Sequence, residues 1–176
     1  MANRLDPNTI FRLHHFAYRC RDAAETTRFY EGILNLPLVN VVKSDFVPSI
    51  GEAQRFAHIF FEMRDGSHLA FFDLGDNTAS EPSPNTPAWV NHIALEVDTR
   101  DELEEAKRRL EAAGIDVLGI TDHGFINSIY FFDPNGVRLE LTIRTGSEEF
   151  HKQAKRDAHQ RLEDWTRDKA GAAAHA

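Results

Sequence analysis

Apolar residues fall in two rhythms along the chain. Short apolar or alternating runs, bounded by Gly, Pro, Asn and Asp, predict strands near 13–20, 36–43, 57–63, 67–74, 91–97, 115–120, 127–133 and 137–144. Two stretches have helical spacing instead. Asp22, with Glu25 three residues on, opens a helix near 22–35 in which Phe29, Tyr30 and Ile33 share a face. Thr99 and Glu102 open another near 100–113, with Leu103, Ala106, Leu110 and Ala113 as its buried stripe and Gly114 as its stop. Asp65-Gly66 and Asn135-Gly136 supply hairpin turns.

The order strand, helix, three strands therefore occurs twice, and the residues repeat with it. His15-Phe16-Ala17-Tyr18 sets against His92-Ile93-Ala94-Leu95. Further on, Ile59-Phe60-Phe61 and the run Asp65 to Phe71 set against Ile129-Tyr130-Phe131 and the run Asn135 to Leu141, without a gap. The expected architecture is α+β, with two βαβββ modules at 11–74 and 89–145 forming a cup-shaped mixed sheet within one domain at 11–145. Between them GDNTASEPSPNTP, with three prolines and no hydrophobic period, reads as a surface linker. Phe150, Ala154, Ala158, Leu162 and Trp165 recur at helical spacing among charges, which predicts an amphipathic C-terminal helix over 147–170. That helix should pack on this domain or on a partner subunit.

Composition narrows the function. A length of 176 residues suits one domain, and 41% hydrophobic with 27% charged residues is ordinary for a folded globular chain. A net charge of −8 without a Lys/Arg block argues against a general nucleic-acid or anionic-membrane binder. The opening MANRLDPNTI has no signal-peptide pattern and no apolar run approaches the ~20 residues of a membrane span, so a cytoplasmic protein is expected. Cys20 is the only cysteine, which excludes an internal disulfide and a multi-thiolate metal site; it reads as a buried strand residue. The 13 phenylalanines read as core first and pocket lining second.

Chemistry concentrates on a few strand positions. Alternation puts His15 on a face with Ala17 and Arg19, and Glu140 on a face with Arg138 and Thr142. A carboxylate between Leu139 and Leu141, with histidines at matching positions of two repeats, is costly unless paired or metal-bound. Two histidines and one carboxylate also make the facial triad that leaves positions open on iron(II). His15, His92 and Glu140 are the candidate metal ligands. His14 points to the opposite face, although a register slip of one would exchange it with His15.

With His15 in the first strand, His92 in the fifth and Glu140 in the eighth, the paired modules resemble the vicinal oxygen chelate superfamily over roughly residues 11–145. The resemblance implies a divalent metal held in a cup by these three residues, a small-molecule substrate and a homodimer. Superfamily members include glyoxalase I, methylmalonyl-CoA epimerase, fosfomycin-resistance thiol transferases, extradiol dioxygenases and metal-free bleomycin-binding proteins. In glyoxalase I and the epimerase a fourth ligand, a carboxylate, stands where this chain has Ala70; His68, two residues away on the same face, is the available substitute.

The run from Thr121 to Glu140 resembles the extradiol dioxygenase signature, with His123, an Ile-Tyr pair at Ile129-Tyr130, and an Asp133-Pro134-Asn135-Gly136 turn leading to Glu140. The resemblance implies an iron(II)- or manganese(II)-dependent ring-cleavage oxidoreductase, with Tyr130 and His123 as proton-handling residues. Tyr130 also reads as a core aromatic at the position of Phe60, and His123 as a surface loop residue. A glyoxalase-like isomerase or lyase, a thiol transferase and a metal-free drug-sequestering protein are the alternatives. Two-domain extradiol enzymes have twice as many modules as this chain.

Overall fold

The computed structural model describes residues 12–173. Residue 11, the expected start of the domain, and the opening segment MANRLDPNTI lie outside the described residues. The elements run β1 (His15–Cys20), α1 (Ala23–Tyr30), β2 (Leu38–Ser44), β3 (Phe56–Glu62) and β4 (His68–Asp73). Then come β5 (Ile93–Glu96), α2 (Arg100–Ala112), β6 (Leu118–Asp122), β7 (Ile126–Phe132), β8 (Arg138–Arg144) and α3 (Glu148–Ala173). This is the expected βαβββ unit, twice, followed by a helix.

Both helix starts form as their sequences dictate. The Asp22 side chain accepts the backbone N–H of Glu25 at 2.6 Å. Thr99 and Glu102 cap each other reciprocally in a capping box. α1 is shorter than its periodic pattern, because Asn35 takes a left-handed conformation and turns the chain into β2.

Each module makes its own four-stranded mixed sheet, ordered β1-β4-β3-β2 and β5-β8-β7-β6. The first strand of each pairs in parallel with the last, Ala17 opposite Ala70 and Ala94 opposite Glu140. The repeat seen in sequence is thus a repeat of register. In each sheet one face carries Ile59, Phe61, Leu69 and Phe71 or Ile129, Phe131, Leu139 and Leu141, and these join Phe29, Tyr30, Leu103 and Leu110 in one continuous core. Cys20 belongs to that core and is 1% exposed.

The Asp133-Pro134-Asn135-Gly136 turn is the polar seam between modules. The Tyr30 hydroxyl donates to Asp133 Oδ2 at 3.0 Å, and Asn135 Nδ2 donates to Thr26 Oγ1 at 3.1 Å. Arg21 N–H donates to Asn135 Oδ1 at 2.9 Å. Burial raises the Asp133 pKa, although the N–H of Val137 and the side chain of Asn135 partly restore the charged form.

The linker lies against β1, where Arg19 pairs with Asp76 and donates to the Thr78 carbonyl at 2.8 Å. α3 touches the domain where Phe150 stacks on Phe125, ring centroids 5.5 Å apart, while Leu162 and Trp165 stay about three-fifths exposed at 61% and 60%. No helix among the described residues is long and apolar enough to cross a membrane.

Tyr30→Phe tests the seam. It removes a donor from a buried carboxylate, and unfolding should show a loss of about 1–3 kcal/mol at neutral pH. Because burial raises the folded pKa of Asp133, the folded state holds its proton longer than the unfolded one, so this group's contribution to stability falls as pH rises from about 4. The variant's deficit should therefore be smallest at acid pH. An equal deficit at every pH would show that the Tyr30–Asp133 contact carries no charge dependence.

Candidate metal centre

Strand alternation gives each sheet a second face, turned away from the core. On the first sheet it holds His15 and Ala17 of β1, His68, Ala70 and Phe72 of β4, and His58 and Phe60 of β3. On the second it holds Ala94 of β5, Glu140 and Thr142 of β8, and Ser128 and Tyr130 of β7.

Glu140 is 3% exposed, which for a carboxylate demands partners. Ser128 donates to its Oε1 at 2.5 Å, and Thr142 Oγ1 lies 3.0 Å from the same serine hydroxyl. His92 stands one residue ahead of β5, and its Nε2 lies 3.0 Å from Glu140 Oε2. The other ring nitrogen, Nδ1, is 3.0 Å from the Val90 carbonyl.

A carbonyl only accepts, so Nδ1 carries a proton and Nε2 is the ring nitrogen left to face a carboxylate oxygen. Two lone pairs at that distance require a cation or a proton between them. Donors ~2.0–2.2 Å from one ion, set at right angles, stand about 3 Å apart. His92 and Glu140 therefore fit two adjacent positions around a divalent metal, with Val90 and Ser128 orienting them from behind.

His15 does not join them within one chain. Among the described residues no three His, Cys, Asp or Glu side chains gather closely enough to hold a metal. His15 is exposed, its Nδ1 is 2.7 Å from His14 Nδ1, and its ring lies edge-on to His58 and Phe60. His68 stays at the margin of the same face, with Nε2 3.9 Å from Glu62 Oε1 and Nδ1 3.3 Å from the His14 carbonyl.

Tyr130 pairs with Glu140 across the β7–β8 ladder, so both side chains emerge on one face. Its hydroxyl is 2.7 Å from His123 Nε2, and the Arg138 guanidinium lies 4.4 Å above its ring centroid. Burial pushes the Tyr130 pKa up, with the Glu140 charge adding to it, so Tyr130 stays a phenol near neutral pH, within a hydrogen bond of His123 Nε2. A phenol and an imidazole thus share a hydrogen bond on the face that carries Glu140.

Ser128 and His58 were not identified from the sequence as site residues. The gapless repeat aligns them with each other, and period-two alternation puts both on the site face; that was the available signal. Burial, with His15 nearby, pushes the His58 pKa down to about 4. Ser128→Ala should weaken divalent-metal binding by about 10–100-fold while the fold is retained, measured by competition with a chelating dye. Unaltered affinity would mean that the serine does not support Glu140 as a ligand.

Comparison with known proteins agrees with this frame. Residues 12–141 match the Glyoxalase/Bleomycin resistance protein/Dioxygenase superfamily. The chain is 32% identical over 94 residues to biphenyl-2,3-diol 1,2-dioxygenase 2 of Rhodococcus globerulus, covering 49% of this chain and 50% of that one. The chain thus spans about half the length of that curated relative. A glyoxalase/dioxygenase from Nostoc punctiforme superposes with a TM-score of 0.63 at 21% identity, over 83% of this chain and 99% of that one. The fosfomycin resistance protein FosX of Listeria monocytogenes, solved with Mn(II) and sulfate, gives 0.55 at 22% identity over 81% and 98%. TnmS3, an antibiotic-binding protein from Streptomyces sp. CB03234, gives 0.53 at 19% identity over 78% and 98%. These structural likenesses speak for the fold alone. By its matched residues and its doubled βαβββ frame, the chain belongs to the glyoxalase/bleomycin resistance/dioxygenase superfamily.

Proposed function

We propose that this protein is a metal-dependent dioxygenase that opens the ring of a small aromatic diol by extradiol cleavage, with iron(II) favoured and manganese(II) the alternative metal. The observation that carries this reading is the gathering of His92, Glu140, Tyr130 and His123 at one sheet face, where a histidine–carboxylate pair sits beside a phenol hydrogen-bonded to an imidazole. The bound metal supplies a Lewis acid for adjacent oxygens of the diol and for oxygen chemistry. Tyr130 holds a proton at Oη, and His123 Nε2 accepts its hydrogen bond, so the pair can move a proton to or from a substrate oxygen.

The third ligand, His15, reaches the site from a second copy of the chain. Ala70, Ser128 and Glu140 are buried within the site faces, while Val42, Leu118 and Phe132 are exposed on or beside them at 42%, 63% and 49%. Exposed apolar surface of this kind marks a contact region, and a twofold pair is the commonest soluble assembly. Facing the first sheet of one copy with the second sheet of the other brings His15 to His92 and Glu140 twice, making two equivalent cups. α3, with Leu162 and Trp165 exposed, supplies further surface to the partner.

A glyoxalase-like isomerase or lyase, or a thiol transferase, uses the same frame, and the Glyoxalase/Bleomycin resistance protein/Dioxygenase match over residues 12–141 keeps it as the second reading. Ala70 weighs against it, since a closed shell with a second carboxylate is what the glyoxalase pattern supplies.

Two experiments decide. Iron(II)-loaded protein should consume one oxygen per catechol and give a yellow ring-opened product, and Tyr130→Phe should slow turnover by about 10²–10⁴-fold with metal content unchanged. No oxygen uptake with any catechol, alongside metal-dependent turnover of a methylglyoxal–thiol adduct, would move the protein to the glyoxalase-like class. For the shared site, His15→Ala and Glu140→Ala proteins should each lose tight metal binding, and mixing them under conditions of subunit exchange should restore it in mixed dimers. Failure of the exchanged mixture to regain metal would falsify the cross-subunit site.

A further inference from the structure

The family match ends at residue 141, inside β8, and α3 lies beyond it. In the first module the chain leaving β4 becomes the linker that lies against β1. In the second, the chain leaving β8 turns back on the β6–β7 loop, where the N–H groups of Thr145 and Gly146 both donate to the Phe125 carbonyl at 2.9 Å. Ser147 then caps α3, its Oγ accepting the Phe150 N–H at 3.1 Å, and the Phe150 ring stacks on Phe125 with the planes 16° apart. Packing at this junction is tight. A Cβ at Gly146 would come within 3.0 Å of Phe125 Cβ and 3.1 Å of Phe150 Cδ1.

The loop held in this way carries His123. It spans residues 123–125, closed by the His123 N–H donating to the Ile126 carbonyl at 3.0 Å. Gly124 turns it in a left-handed conformation and donates its N–H to Asp122 Oδ1 at 2.7 Å. His123 is exposed, so the direction of its imidazole follows from where the loop is held rather than from burial. Its Nε2 lies 2.7 Å from the Tyr130 hydroxyl, and a displacement of about 1 Å is enough to break a hydrogen bond of that length.

We propose that Phe150 is a positioning residue for the Tyr130–His123 pair: its stack on Phe125 holds the β6–β7 loop where His123 meets Tyr130, so that α3 sets whether the pair is assembled. This rests on the reading above of Tyr130 and His123 as the groups that move a proton, and names the element that controls them. Phe150 acts through Phe125 and not on the substrate. The contact needs a flat ring: Phe150→Tyr keeps it, and Phe150→Ala removes it. Gly146→Ala sets a methyl group against both rings and parts them.

Two readouts on the full chain test it. In nuclear magnetic resonance of protein with labelled histidine, cross-relaxation between the ring protons of His123 and Tyr130 reports their contact without turnover. It should be present in wild-type protein and in Phe150→Tyr, and lost in Phe150→Ala and Gly146→Ala while the remaining spectrum keeps its folded pattern. In iron(II)-loaded protein given a catechol, Phe150→Ala should lower kcat by about 10–100-fold, with KM and metal content little changed. In a His123→Ala background the same substitution should lower kcat no further, because the group it positions is gone.

Undiminished cross-relaxation in Phe150→Ala and Gly146→Ala overturns the proposal and leaves the dioxygenase reading standing. An equal fall in kcat from Phe150→Ala with and without His123 also overturns it, since that loss does not pass through the imidazole. Should Phe150→Ala not fold, the cross-relaxation in Gly146→Ala decides by itself. If wild-type protein turns over no catechol, the dioxygenase reading falls, and the resonance signal still decides whether α3 holds His123 against Tyr130.

Discussion

The site is organised by a carboxylate placed where water cannot solvate it. Glu140 sits mid-strand between two core leucines, 3% exposed, and an isolated buried charge of that kind is not sustainable. Everything nearby answers that constraint: Ser128 donates to one oxygen, and His92 stands against the other with its own proton committed to Val90. A cation or a proton between His92 and Glu140 completes the set. Removal of Ser128 or His92 would leave a buried charge short of partners, so the arrangement holds only as a set.

The rest of the fold serves to deliver that set. Parallel pairing of the first and last strand in each module brings a residue from the module's start beside one from its end, as Ala94 meets Glu140. His92 just ahead of β5 and Glu140 within β8 thereby become neighbours across 48 residues of chain. The Tyr30–Asp133 seam locks the helix of one module to the β7–β8 turn of the other, and that turn sets the register of β8.

Most of this was legible in the sequence, because the signals are local or repeated. The Asp22 and Thr99 caps, the two hairpin turns and the 70-residue offset between Phe60 and Tyr130 are read from spacing alone, and the observed strands follow them. Less legible was how the modules meet. His15 has the strand position of a ligand, yet the chain does not bring it to His92, because module docking depends on surfaces distributed over the whole fold, which no periodic pattern records. The stripe on α3 is similar: helical spacing identifies an apolar face, and only contacts say what covers it. His58 and Ser128 escaped because each looks unremarkable in its own strand. Their meaning appears when the two sheets are laid over one another.

That superposition shows a division of labour. Departures from the repeat are concentrated on the site face, Ala70 against Glu140, His58 against Ser128 and Phe60 against Tyr130, while the core faces keep Ile59 with Ile129, Phe61 with Phe131 and Leu69 with Leu139. The core repeats because both modules must fill the same space at the same density. The site face is free to differ, and there one module carries the buried carboxylate and a phenol bonded to an imidazole, while the other carries aromatic walls and the His58 imidazole. A symmetric cup with two carboxylates would enclose a metal; an asymmetric one leaves part of the coordination sphere to whatever binds against the walls. Under the function proposed above, that asymmetry would let a metal-holding frame present its metal to a substrate.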